Sequence, residues 1–271
     1  MRRPAKATLQ AAQSAHQAPA VKAASRKVEV EYYPDGRIKV GNWTTYRILA
    51  NFTESKPKLW SPESTNNLRL VHMAIGIVTE LDELFPREEM LGVMQDNWTE
   101  EVGDLMWYIA CMHTILLESG INAVKLEADL DELLGLIPDG SALPYSIRVT
   151  TLRGTQGLAT ELLDDAKKML AYGNGSVNSV AALNIVDKAF DISRACFIYA
   201  LNAVPNPTSL IKILEANINK LSKRYPEGFN PTDAVNRQLA VEAEVFNKLA
   251  RETSAEARSI PMVRGELDAS V

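Results

Sequence analysis

From about residue 64 onward, apolar residues recur at three- and four-residue steps, the period of helices buried on one face. Leu70, Met73, Ile77, Leu81 and Leu84 form one stripe, and Pro86 stops it. Trp98-Thr99-Glu100-Glu101 opens a second run, with Val102, Leu105, Ile109, Met112 and Leu116 on one stripe and Gly120 at its end. Two further helices are expected over about 150–172 and 179–202, separated by Gly173-Asn174-Gly175-Ser176. A helix over 208–224 follows Asn206-Pro207 and ends at Pro226-Glu227-Gly228, and residues 231–252 read as a last amphipathic helix. Only one segment has period two. Val28, Val30 and Tyr32 alternate with Glu29 and Glu31, Pro34-Asp35-Gly36 turns the chain, and Ile38 and Val40 resume the alternation.

The pattern therefore predicts an all-α fold with one short N-terminal β-hairpin. Residues 1–27 read as a disordered tail, 28–63 as hairpin and linker, 64–252 as the helical domain and 253–271 as a frayed end. Within the helical domain one similarity repeats. Gly76-Ile-Val-Thr-Glu80-Leu-Asp-Glu83 matches Gly157-Leu-Ala-Thr-Glu161-Leu-Leu-Asp164 in its glycine, threonine and both acids. Each match precedes a long apolar helix that contains a cysteine. This reads as a duplicated helix-pair module, one copy over 64–120 and the other over 146–205. A Pro/Gly-bearing connection around 138–146 joins them, and closing helices follow over 208–252.

Composition removes several classes of function. The chain carries 29 basic and 34 acidic residues and a net charge of −5, which speaks against a broadly basic nucleic-acid binder. Two cysteines, Cys111 and Cys196, are too few for a disulfide scaffold or a cysteine-held zinc and read as small buried hydrophobes. Three histidines make a multi-histidine metal centre a poor expectation, and His72 and His113 read as hydrogen-bonded core residues. Trp60, Trp98 and Trp107 read as core or pocket wall. No apolar stretch is long enough to span a bilayer, and no signal-peptide apolar region is present, so no membrane partner and a cytoplasmic location are expected. Chemistry is left to carboxylates, amides and basic side chains.

Glu80 and Glu83 lie three apart on one predicted helix, and Glu101 and Asp104 repeat that spacing on the next. Their apolar stripes adjoin them. Antiparallel packing of the stripes would gather four carboxylates at one edge of the pair, in a setting where unpaired acids are expensive. Such a cluster needs a positive partner, and an all-oxygen donor set suits Mg²⁺ or Mn²⁺ held together with a phosphate substrate. Nearer the C-terminus, Asn217, Lys220 and Arg224 share one helical face and offer donors for phosphate or sugar oxygens.

These three motifs, in this order and spacing, resemble the all-α nucleoside triphosphate pyrophosphohydrolases of the MazG-like superfamily. Glu-x-x-Glu at 80–83, a gap of 17 residues and Glu-x-x-Asp at 101–104 match its catalytic helices. Asn217-Ile-Asn-Lys220-Leu-Ser-Lys-Arg224-Tyr-Pro-Glu-Gly-Phe229 resembles its closing element. The resemblance covers residues 68–118 and 208–237, and more loosely 148–202. It implies a MazG-like helical bundle that hydrolyses a (deoxy)nucleoside triphosphate to monophosphate and diphosphate with Mg²⁺. Glu80, Glu83, Glu101 and Asp104 would hold the metal, Glu83 and Glu101 would be catalytic, and Asn217, Lys220 and Arg224 would face the substrate. Members are usually oligomeric, so a homo-oligomer, with a homodimer as the simplest case, is implied. The overall string is most similar to phage or bacterial members, which places a small weight on dGTP or GTP; dUTP, dCTP or a damaged nucleotide are the alternatives.

One departure is visible. About 90 residues separate the second catalytic helix from the closing motif. They hold Glu161, Asp164, Lys167, Lys168 and Tyr172, which resemble the family's stretch after its first helix, whereas Asp187 and Asp191 are four apart rather than three. The expectation is a fused pseudo-dimer whose second copy has lost metal and lends Lys167, Lys168 and Tyr172 to a shared pocket. Two rivals stand beside it. A di-iron carboxylate bundle requires Glu-x-x-His pairs, which neither His72 nor His113 completes. A catalytically silent helical interaction module would keep the stripes but would not need all four acids.

Overall fold

The computed structural model describes residues 30–56, 62–84, 98–135, 145–172, 179–202, 208–236 and 239–259. The expected 1–27 tail, the first hairpin residues, Trp60, Pro86, the 138–144 connection, the 173–176 separator, Asn206-Pro207 and the extreme C-terminus lie outside them. Within these residues the chain is helical apart from one two-stranded antiparallel hairpin, β1 (Glu31–Tyr32) and β2 (Ile38–Lys39). Gly36, at φ 83°, closes its turn by donating its N–H to Tyr33 O at 2.9 Å.

Helix α1 (Trp43–Phe52) occupies part of the expected linker. Asn42 caps it, its side chain accepting from the Thr45 N–H at 2.8 Å, and Trp43, Tyr46 and Ala50 bury one face against α3. Helices α2 (Pro62–Leu84) and α3 (Trp98–Glu118) form the first pair. They run antiparallel. Asn66 and Arg69 near the start of α2 bond Ser119 and Glu118 at the end of α3, while Glu80 near the end of α2 meets Glu101 at the start of α3. Arg69 is buried and also grips Glu54 through two 2.6 Å bonds, tying the segment after α1 to this pair.

α3 is the centre of the fold. Its residues Val102 to Leu116 are almost all buried, and it packs on α1, α2, α6 and α7. Gly120, at φ 77°, ends the turn that follows. Helix α4 (Val124–Gly135) lies where the apolar pattern predicts no element; it buries Leu126, Leu130, Leu133 and Leu134 and packs on α6. Helices α5 (Tyr145–Tyr172) and α6 (Ser179–Asn202) form the second pair, and α5 packs on α2. Cys111 and Cys196 are buried free thiols, as expected. Helix α7 (Leu210–Arg224) follows. The predicted last helix is broken in two, α8 (Pro231–Val235) and α9 (Leu239–Ser259), and α9 runs past the expected start of the frayed end. No helix among the described residues is long and apolar enough to cross a membrane.

The hairpin is fastened to α7. Asn219 accepts from the Ile38 N–H at 2.8 Å and donates to Ile38 O at 2.9 Å, so its amide mimics a neighbouring strand. Glu215 accepts from the Val40 N–H at 3.0 Å and from the Tyr33 hydroxyl at 3.1 Å. Asp35 and Arg37 reach Lys248 and Glu252 of α9.

Candidate metal centre

The antiparallel pairing brings the last turns of α2 beside the first turn of α3. Glu80, Glu101 and Asp104 can each present an oxygen within 4.8 Å of the other two. Glu101 and Asp104 are one helical turn apart, and Glu101 sits in the first turn of α3, where the macrodipole favours negative charge. Glu83 does not join them. It is exposed, because a three-residue step rotates a side chain by roughly 60° from its predecessor and Leu81 and Leu84 take the inward direction. Of the expected quartet, three acids converge, and the charge of Glu83 acts on Glu80 and Glu101 from beside them.

Crowding raises the proton affinity of Glu80 and Glu101. Burial, then the charges of Asp104, Glu83 and Glu101, push Glu80 well above the usual carboxylate range. Burial and the charges of Asp104, Glu83 and Glu100 push Glu101 the same way. A hydrogen bond joins the two. Three clustered carboxylates form a hard, all-oxygen donor set, which suits Mg²⁺ or Mn²⁺ better than zinc or copper.

Helix α7 supports the triad from behind. Asn217 donates to Asp104 Oδ1 at 2.6 Å and accepts from the buried Tyr46 hydroxyl at 3.1 Å. Lys220 is completely buried and donates to Asp104 Oδ1 at 2.6 Å, Asp104 Oδ2 at 2.7 Å and Glu100 Oε1 at 3.2 Å. Asn217 and Lys220 were expected to face substrate; their polar atoms are spent on Asp104 and its neighbours. Gly103 makes this approach feasible, since a Cβ there would stand 3.0 Å from Asn217 Cβ. Arg224 ion-pairs with the buried Glu242 and lies 5.7 Å from the Tyr225 ring centre.

A cleft of about 450 Å³ opens beside the triad. Glu80, Asp104 and Arg224 form its polar wall, and Trp107, Tyr108, Tyr225 and Phe229 supply aromatic surface. Trp107 is fixed by donating its indole N–H to Thr53 Oγ1 at 2.9 Å. Tyr108 lies directly over Gly76, where a Cβ would fall 2.2 Å from the ring, and burial and Glu80 push its phenol up to about 12. His72 also lines the cleft and is exposed, contrary to the buried role expected for it. His113 is core, as expected. It accepts from the Trp43 indole at 2.9 Å and faces Ala123 O at 3.1 Å, and burial lowers it to about 4.

The residues expected to come from the second pair stand elsewhere. Lys167 and Lys168 are exposed and pair with Asp164, Tyr172 is 77% exposed, and none of the three lines the cleft. Glu161, Asp187 and Asp191 are exposed as well. Sequence reasoning missed Tyr46, Glu100 and Tyr108. Tyr46 lay in a stretch read as linker, although Asn42 and the Trp43, Tyr46, Ala50 spacing mark a capped, one-sided helix. Comparison of the chain with protein-family models, with curated proteins and with solved structures found no match in any of the three.

Proposed function

We propose that the chain is a divalent-cation-dependent nucleoside triphosphate pyrophosphohydrolase of MazG-like type, built on an internally duplicated helix pair. The observation that carries this reading is the convergence of Glu80, Glu101 and Asp104 at the polar end of an aromatic-walled cleft. Mg²⁺, or Mn²⁺ in its place, would be held by those three carboxylates; when bound, it would offset phosphate charge and acidify a water. The chain's own groups supply the rest. Asn217 and Lys220 fix the Asp104 carboxylate in one orientation. Glu101, beside Glu80 and Asp104, is placed to accept a proton from the attacking water. Tyr108 stays protonated at neutral pH and has a hydroxyl to donate to a phosphoryl oxygen. Trp107, Tyr225 and Phe229 offer faces on which a nucleobase can stack. The reaction is (d)NTP plus water to (d)NMP plus diphosphate, with the small weight on dGTP or GTP retained from the resemblance.

The test is incubation of the full chain with each dNTP and NTP in Mg²⁺, with and without chelator, and measurement of diphosphate. Chelator-sensitive diphosphate release from at least one nucleotide is expected. No release across the panel would favour the silent interaction module.

A further inference from the structure

Lys220 donates every one of its three ammonium N–H groups to acids: Asp104 Oδ1, Asp104 Oδ2 and Glu100 Oε1. Its side chain is 0% exposed, and the Phe246 ring, 5.5 Å away, closes another side. Reaching a phosphate would mean giving up all three bonds of a buried charge, which is strongly unfavourable.

The lone pairs of Asp104 then decide how many cations the centre accepts. A carboxylate oxygen has two acceptor sites. Oδ1 takes Asn217 at 2.6 Å and Lys220 at 2.6 Å, so both are used. Oδ2 takes Lys220 at 2.7 Å and keeps one. Asp104 therefore offers a cation Oδ2 alone and is unable to bridge two ions with one oxygen each. Glu100, the nearest further acid on α3, is occupied by the same lysine.

Building on the proposed cation centre, we infer that Lys220 is an internal cation that takes the place of a second metal ion and holds the centre to one divalent ion. Lys220 is thus a positioning residue rather than a phosphate ligand.

The count of bound ions tests this without turnover. Mn²⁺ is titrated into the full-length, metal-free chain, and bound ion is read from loss of the free-Mn²⁺ electron paramagnetic resonance signal, with Glu101→Gln as the blank. Wild type is expected to bind one Mn²⁺ per chain above the blank. Lys220→Met, with its fold checked by circular dichroism, is expected to bind two. Two comparable ions in the wild type, or a single ion in Lys220→Met, would overturn the role given to Lys220 and leave the proposed function standing. No ion in the wild type would remove both. If Lys220→Met does not fold, the wild-type count decides alone.

Discussion

The two long helix pairs make an internal comparison of the same acid spacing in different surroundings. Glu80 and Glu161 each follow a Gly-x-x-Thr string and each precede a second acid by three residues. Glu80 is half-buried between α2 and α3, and its proton affinity climbs. Glu161 is exposed, with Lys188 of the partner helix 3.8 Å away. The second acids differ too. Asp164 is held down to about 2 by hydrogen bonds from Lys167 and Lys168, a solvated cluster that balances its own charge. The glycines repeat the lesson: Gly76 carries the Tyr108 ring, and Gly157 faces open space. Spacing sets which residues share a face. Whether that face becomes a site depends on what a third element lays against it, and α7 turns Asn217 and Lys220 onto Asp104 of the first pair.

The largest expected effect separates the two pairs by activity. Glu101→Ala should lower diphosphate release by about 10²–10³-fold or more, whereas Glu161→Ala should stay within about two-fold. Equal losses in the two variants would mean that the second pair belongs to the site.

Next in size is a glycine exchange. Gly76→Ala drives a methyl into Tyr108 and should cost about 1–3 kcal/mol in denaturant unfolding. Gly157→Ala meets no neighbour and should stabilise by up to about 1 kcal/mol through helix propensity. A stability loss in the second variant would show a contact there that the fold does not contain.

The pH dependence differs in sign. Glu80 is raised from 4.5 to about 8, so the folded chain keeps a proton that the unfolded chain releases. That contribution is full below 4.5 and is lost as pH climbs through about 8, so the Tm of the metal-free chain should fall across this window. Excess Mn²⁺ should restore it at the alkaline end, and Glu80→Gln should flatten the slope. Asp164 works the other way, its contribution present above 3.8 and lost as pH falls through about 2, so its removal should leave the neutral-to-alkaline slope unchanged.

The smallest expected effect is the double variant Lys167→Ala, Lys168→Ala. It should leave KM for the nucleotide and the denaturant midpoint unchanged. A several-fold rise in KM would return these lysines to the site.

Helices with a sustained apolar stripe were legible from their residues. α3 was readable from Trp98 to Gly120 because stripe, acidic first turn and terminal glycine agree. α1 and α4 were not, since each is short and follows a segment read as a hairpin, linker or helix end. The three acids of the triad were readable because helix period places them. The exposure of Glu83 was not legible because a shared helical face does not fix depth, and Leu81 and Leu84 claim the interior. The partners of Asp104 were out of reach: Asn217 lies 113 residues away, and only packing reveals that its amide and the Lys220 ammonium turn inward.

The amide of Asn219 and the carboxylate of Glu215 have a consequence for how the chain can be cut. They lie on the same helix as Asn217 and Lys220 and complete their bonding with backbone from Ile38 and Val40. A truncated chain that starts after Val40 would strip those partners from α7 and loosen the helix that orients Asp104. Damage to the cation centre would then arise from a deletion that removes none of its ligands.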